Sequence, residues 1–134
     1  MDEIIHKVLD RKQPVVALSG PTFAIEMLES RPTVMVAACA DEKLARKVSN
    51  ILASQSLRVT TSTDVVGVEI SGALKNVLAI AAGITEGLGL GHNSMAALVA
   101  QGMSEIRWLA EKMGAKTATL AGPSGVGDVM LTCF

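Results

Sequence analysis

The stretch DVVGVEISGALKNVLAIAAGITEGLGLG, residues 64–91, constrains the fold more than any other part of the chain. Its apolar residues do not alternate with polar ones as a half-buried strand requires. An aspartate able to cap opens it, and glycines close it. It reads as one long helix, apolar nearly all round, and such a helix is expected to be buried on most sides. Aromatic residues make up only 2% of the chain, while alanine, glycine and methionine are plentiful, so close approach of helices rather than packing around large rings should build the core.

A second helix follows. Asn93 or Ser94 can cap it, Met95, Leu98, Val99, Gly102, Ile106, Leu109, Ala110 and Met113 trace one stripe, and Gly114 stops it. Trp108 lies off the centre of that stripe, placed to touch another helix or a second subunit. A third, shorter helix is expected around GDVMLTCF, residues 127–134.

Before residue 64 the pattern is different. Ile4, Ile5, Val8 and Leu9 give residues 2–11 helical spacing, and QPVVALSGP then reads as a short buried strand running into a Gly-Pro turn. After TFAIEMLES, Pro32 opens a second strand, TVMVAAC, and LRVTTST supplies a third. Between these two strands Asp41 can cap a helix with Leu44, Val48, Ile51 and Leu52 on one face and Lys43, Arg46 and Lys47 on others. The fold class is therefore α/β over residues 1–63, then all-α over residues 64–134, with the composition shift near residue 63 as the one candidate boundary.

Composition narrows the function. The 134 residues are 49% apolar and 19% charged, enough for a core and too apolar for disorder, and a net charge of -1 gives no broad electrostatic reason to expect nucleic acid as a partner. Cys39 and Cys133 have no metal-ligand spacing and sit among apolar neighbours, so reduced, buried thiols and a cytoplasmic-type compartment are expected. MDEIIHKVLDRKQP lacks the apolar core of a secretory signal, and with the apolar run of residues 70–74 broken by Lys75, no membrane segment is expected. His6 and His92 have no partner at triad or metal spacing and receive no role.

Three places carry chemistry. Lys75 sits in SGALKNVLAIAAG with no carboxylate within a turn on its own helix. Two readings are open: the side chain snorkels to water, or it is partly desolvated and can give and take a proton at physiological pH. Asn76, about 100 degrees further round the helix, could orient a substrate hydroxyl. The turn SGPTFA, residues 19–24, exposes backbone N–H groups beside the Thr22 hydroxyl, which suits a small polar or phosphorylated ligand or is simply a turn. In GPSGVGD, Asp128 is either a helix cap or a site carboxylate, with Thr132 on the same face. GLGLG, residues 87–91, follows a helix rather than a strand and is a loop, not a dinucleotide fingerprint; GPSGVGD lacks the lysine and hydroxyl of a Walker loop.

Taken together, LSGPTFAIE, DVVGVEISGALKNVLAIAAGITEGLGLGHN and SGVGDVMLTCF resemble, in order and spacing, the middle of the NAD(P)-dependent glycerol-3-phosphate dehydrogenase family. The adjacent Lys and Asn of VE-x-x-GALKN match that family better than its beta-hydroxyacid dehydrogenase relatives, in which the two are about a helical turn apart. The resemblance implies the second part of a Rossmann-like dinucleotide-binding domain (residues 1–63) followed by the start of a helical substrate domain (residues 64–134), with NAD or NADP as cofactor. It implies Lys75 as proton donor and acceptor, substrate contacts from Gly20, Thr22, Asn76, Asp128 and Thr132, and a cofactor contact at Ala24. It also implies a homodimer as the complete protein, glycerol 3-phosphate or dihydroxyacetone phosphate as substrate, and no metal. Thr22 stands where the family more often has serine, and PSGVGD where it has LAGLGD, the aspartate being kept. The family's glycine-rich fingerprint would precede this chain and its phosphate-gripping Arg-Asn pair would follow Phe134, so the chain alone is expected to bind cofactor poorly and turn over little. Rival readings are another lysine-dependent beta-hydroxyacid-type dehydrogenase and a noncatalytic helical self-association module.

Overall fold

The computed structural model describes residues 1–9 and 13–134. The first helix, α1 (Asp2–Val8), covers most of the helix expected over residues 2–11, whose last two residues lie outside the described ones. Strand β1 (Ala17–Ser19) is short; helix α2 (Ala24–Leu28), strand β2 (Thr33–Ala38), helix α3 (Glu42–Leu52) and strand β3 (Leu57–Ser62) complete the α/β part.

The sheet order is β1-β2-β3. β2 and β3 are parallel, from Thr33 opposite Leu57 to Ala38 opposite Ser62, joined by a crossover through α3. β1 runs antiparallel to β2, with Ala17 opposite Ala38 and Ser19 opposite Val36, a direction that apolar patterning could not specify. The turn after β1 therefore lies near the amino ends of β2 and β3, and the Asp64 that follows β3 lies at the other end of the sheet.

Asp41 caps α3 as expected, its Oδ1 accepting from the Lys43 N–H at 2.9 Å and from that of Leu44 at 3.4 Å. Its apolar face is rotated from the expected one. Ile51 is 70% exposed, whereas Ala45 and Ser49 are buried. The Ser49 hydroxyl donates to the Val59 carbonyl at 2.7 Å, so the helix meets the sheet along small residues and a hydrogen bond.

Helix α4 (Val65–Gly87) begins at its capping aspartate, with Asp64 Oδ1 accepting from the Gly67 N–H at 2.9 Å. It crosses the sheet, where Val68 packs with Val36 and Ala38, then runs on into a helical cluster. α5 (Gly91–Lys112) turns back along it. Gly102 is the point of closest approach: a Cβ there would stand 2.5 Å from Leu78 Cδ1, so the stripe uses glycine to admit the leucine. A short helix α6 (Thr117–Leu120), a π-helical turn (Pro123–Gly127) and helix α7 (Asp128–Cys133) then close over α4, with Leu120 and Val129 fully buried against it.

Several expectations need correction. α4 is not buried on most sides: Val77, Ile80 and Ile84 are exposed, because α5 and the α6–α7 segment cover only part of its circumference. α5 begins at Gly91, with Asn93 and Ser94 already inside its first turn rather than capping it, since the glycine-rich reversal at residues 88–90 leads directly into the helix. At the far end of the stripe Met113 is exposed and lines an open apolar groove of about 690 Å³ against α1, β1 and α4, while Ala110 makes the buried contact. Finally, α4 is long and apolar enough to cross a membrane by length and composition, with a mean hydropathy of 1.6 over an 18-residue stretch. Ending the apolar run at Lys75 hid this; here Lys75 is neutralised within the fold and Ile70, Leu78 and Ala82 belong to the core.

Candidate active site

Three segments far apart in sequence meet beside the middle of α4. The first is the turn after β1. Gly20 has φ of +149°, and a Cβ there would lie 2.8 Å from the Val34 carbonyl oxygen and 2.9 Å from Met35 Cα, so only glycine lets the chain leave β1 this close to β2. The Thr33 hydroxyl donates to the Pro21 carbonyl at 3.1 Å and pins the turn to the start of β2. Thr22 donates to the Gly20 carbonyl at 3.2 Å, which uses its proton locally and leaves its oxygen able to accept. Ala24 follows, exposed, as the first residue of α2.

The second segment is α4. Gly72 faces the end of β1, where a Cβ would be 3.9 Å from Ser19 Oγ, and Lys75 lies one turn further on. The third is the π-helical turn. A Cβ at Gly127 would stand 3.7 Å from Pro21, so this turn packs on the SGPTFA turn and delivers Asp128 to Lys75.

Both carboxylate oxygens of Asp128 accept from Lys75 Nζ, each at 2.7 Å. The Asp128 side chain is 7% exposed and that of Lys75 23%, so the pair is shielded but reachable from one side. The Lys75 ammonium therefore ends on a carboxylate 53 residues away rather than in water alone. Thr132 donates to the Asp128 carbonyl at 2.7 Å one turn along α7. Asn76 is exposed beside Lys75. The fold thus gathers Gly20, Thr22, Lys75, Asp128 and Thr132 along linked turns, with Asn76 and Ala24 at the open margin. A partly exposed ammonium held by a buried carboxylate can polarise an oxygen atom and transfer a proton to or from it.

One residue of this region escaped the sequence. Ser124, in the π-helical turn, is 1% exposed and its hydroxyl has no hydrogen-bond partner among the described residues. Nothing in a run of Gly, Pro and Ser signals burial. Because an unpaired buried hydroxyl costs free energy, Ser124→Ala should leave stability unchanged or raise it by up to about 1 kcal/mol, read as an equal or higher Tm. A clear loss of stability would show that the hydroxyl has a partner.

Cys39 and Cys133 are buried free thiols, and burial pushes the Cys133 thiol above its ordinary value, which keeps it protonated and unreactive. Among the described residues no three His, Cys, Asp or Glu side chains converge as metal ligands.

Residues 64–134 match the family described as NAD-dependent glycerol-3-phosphate dehydrogenase C-terminus, and residues 1–45 match its N-terminus counterpart. The chain is 64% identical to a chloroplastic NAD(+)-dependent glycerol-3-phosphate dehydrogenase of Oryza sativa subsp. japonica, over all of this chain and 31% of that protein. It is 51% identical to the NAD(P)+ enzyme of Geobacter metallireducens, over 99% of this chain and 40% of the other. A crystal structure of glycerol-3-phosphate dehydrogenase from Coxiella burnetii superposes with a TM-score of 0.93 at 38% identity, covering 98% of this chain and 40% of that one. The chain thus spans about a third of the length of the plant relative.

Proposed function

Because the chain belongs to the NAD-dependent glycerol-3-phosphate dehydrogenase family, we propose that it is the central part of an oxidoreductase that interconverts sn-glycerol 3-phosphate and dihydroxyacetone phosphate with NAD or NADP. The observation that carries this reading is the shielded Lys75–Asp128 pair beside the SGPTFA turn. We assign residues 1–63 to the end of the dinucleotide-binding domain and residues 64–134 to the start of the substrate domain, a division supported by the N- and C-terminal family matches.

Ala24 would contact the cofactor: it is small and exposed at the margin of the site, and so fits a ligand laid against the backbone there. When bound, the nicotinamide supplies the hydride that reduces the ketone carbon of dihydroxyacetone phosphate. The protonated Lys75 stabilises the negative charge developing on the ketone oxygen and gives that oxygen its proton, forming the C2 hydroxyl. In the reverse direction a neutral Lys75 takes the proton from the alcohol. The Asp128 carboxylate holds the lysine in place and stabilises its charged form. Gly20, Thr22 and Asn76 would bind and orient the substrate, and Thr132 would brace Asp128 through its carbonyl.

The complete protein is assigned as a homodimer. Apolar faces of α4 and α5 left open here, around Ile80, Ile84 and Trp108, are surface that a partner subunit or further chain would cover. Two buried free thiols suit a reducing compartment; the cytoplasm and the chloroplastic setting of the rice relative both qualify.

The test is a chimera in which these 134 residues replace the matching segment of the rice relative. It should oxidise NADH or NADPH saturably with dihydroxyacetone phosphate and not with beta-keto acids. Preference for a beta-keto acid would point to the wider dehydrogenase group, and a folded chimera with no turnover on either would favour a noncatalytic module.

A further inference from the structure

Two carboxylates, not one, tie α4 to the segment that follows α5. Asp128 reaches back to Lys75 on α4. At the opposite end of the same contact Asp64, 6% exposed, reaches forward from the start of α4: its Oδ2 accepts from the Lys116 N–H at 2.8 Å while its Oδ1 caps α4 through Gly67. Between these ties both arms are stiff. Asp64 and Lys75 are eleven residues apart on one unbroken helix, about 16 Å. From Lys116 the chain passes through α6, whose Leu120 is fully buried, and then through a turn whose Gly125 and Gly127 N–H groups both donate to the Gly122 carbonyl, at 3.1 and 3.3 Å, before Asp128.

We propose that Asp64 is a positioning residue for the reaction: by fixing the 116–128 segment lengthwise on α4, it sets the contact between Asp128 and Lys75. This rests on the function proposed above. Burial opposes the charge on Asp64, but hydrogen bonds from the Thr119 hydroxyl, the Lys116 N–H and the Gly67 N–H, with the Lys116 cation, outweigh it and hold the carboxyl below its ordinary value. A depressed carboxyl stabilises the fold above the usual carboxylate range and loses that contribution as pH falls through its folded value. The tie is therefore intact at neutral pH, where the enzyme would work.

Two variants of the chimera cut the same bond from opposite sides. Asp64→Ser keeps a cap for Gly67 but offers nothing to Lys116, and Lys116→Pro removes the N–H itself at a position whose φ is -88°. Each should lower kcat about tenfold with cofactor KM unchanged. The double variant should be no worse than either single one. A lower Tm with kcat unmoved in both single variants would overturn the proposal and leave Asp64 a purely structural cap. If Lys75→Ala also kept full turnover, the functional reading itself would fail; if Lys75→Ala were inactive while both tie variants behaved as wild type, only the role of Asp64 would fall.

Discussion

Replacing Lys75 by alanine is expected to cut turnover of the chimera about 100-fold or more, the usual size of a lost general acid–base step. The reasoning begins with the helix. Small residues on either side of Lys75 leave its side chain no carboxylate on α4 itself, and the fold answers with Asp128 on α7 at 2.7 Å. On the proposed function alanine removes the proton donor and leaves the Asp128 carboxylate without its cation beside the site, where its charge would repel the developing oxyanion. Two effects therefore act in the same direction. Lys75→Arg separates them: arginine restores the positive charge but does not give up its proton, so it should recover substrate binding and little of the rate. A Lys75→Ala chimera with kcat within twofold of wild type and a lower Tm would remove the lysine from the chemistry and return it to a salt bridge that holds two helices together.

How much of this was legible beforehand differs by feature. The long helix and its Asp64 cap, the Asp41 cap and the β2–α3–β3 unit followed from local signals, because caps and periodicity act within a turn or two. The rotation of α3 that exposes Ile51 did not, since Ser49 could declare its bond to the Val59 carbonyl only once β3 was beside it. For the site, Lys75, Asp128 and the SGPTFA turn could each be named, but their meeting depends on contacts between elements far apart in sequence, with glycines at 20 and 125 where the backbones approach too closely for a Cβ. Pattern alone favoured a Lys75 that reaches water. The second tie, from Asp64 to Lys116, was invisible because its donor is a backbone N–H, which every non-proline residue carries.

Gly125→Ala should be among the most damaging single changes to stability in the chain, costing about 3 kcal/mol or more, and it should disable the site as well. A Cβ at Gly125 would overlap the Leu120 carbonyl oxygen and stand 2.5 Å from its carbon and 2.7 Å from its Cα. These are backbone atoms of a residue that is 1% exposed, so no side-chain rotation relieves the clash. Either α6 must lift from α4, uncovering Leu120, or the π-helical turn must open, and the second route moves Asp128, three residues on, away from Lys75. Loss of turnover should therefore exceed what the unfolded fraction explains. Gly83→Ala is the control: a Cβ at Gly83 meets nothing within 4 Å, on an exposed part of α4, so alanine there should raise stability by a few tenths to about 1 kcal/mol through helix propensity alone. If both variants melted with the wild type, the packing of α6 on the turn would not be tight, and the path from Leu120 to the Lys75–Asp128 pair would lose its rigidity.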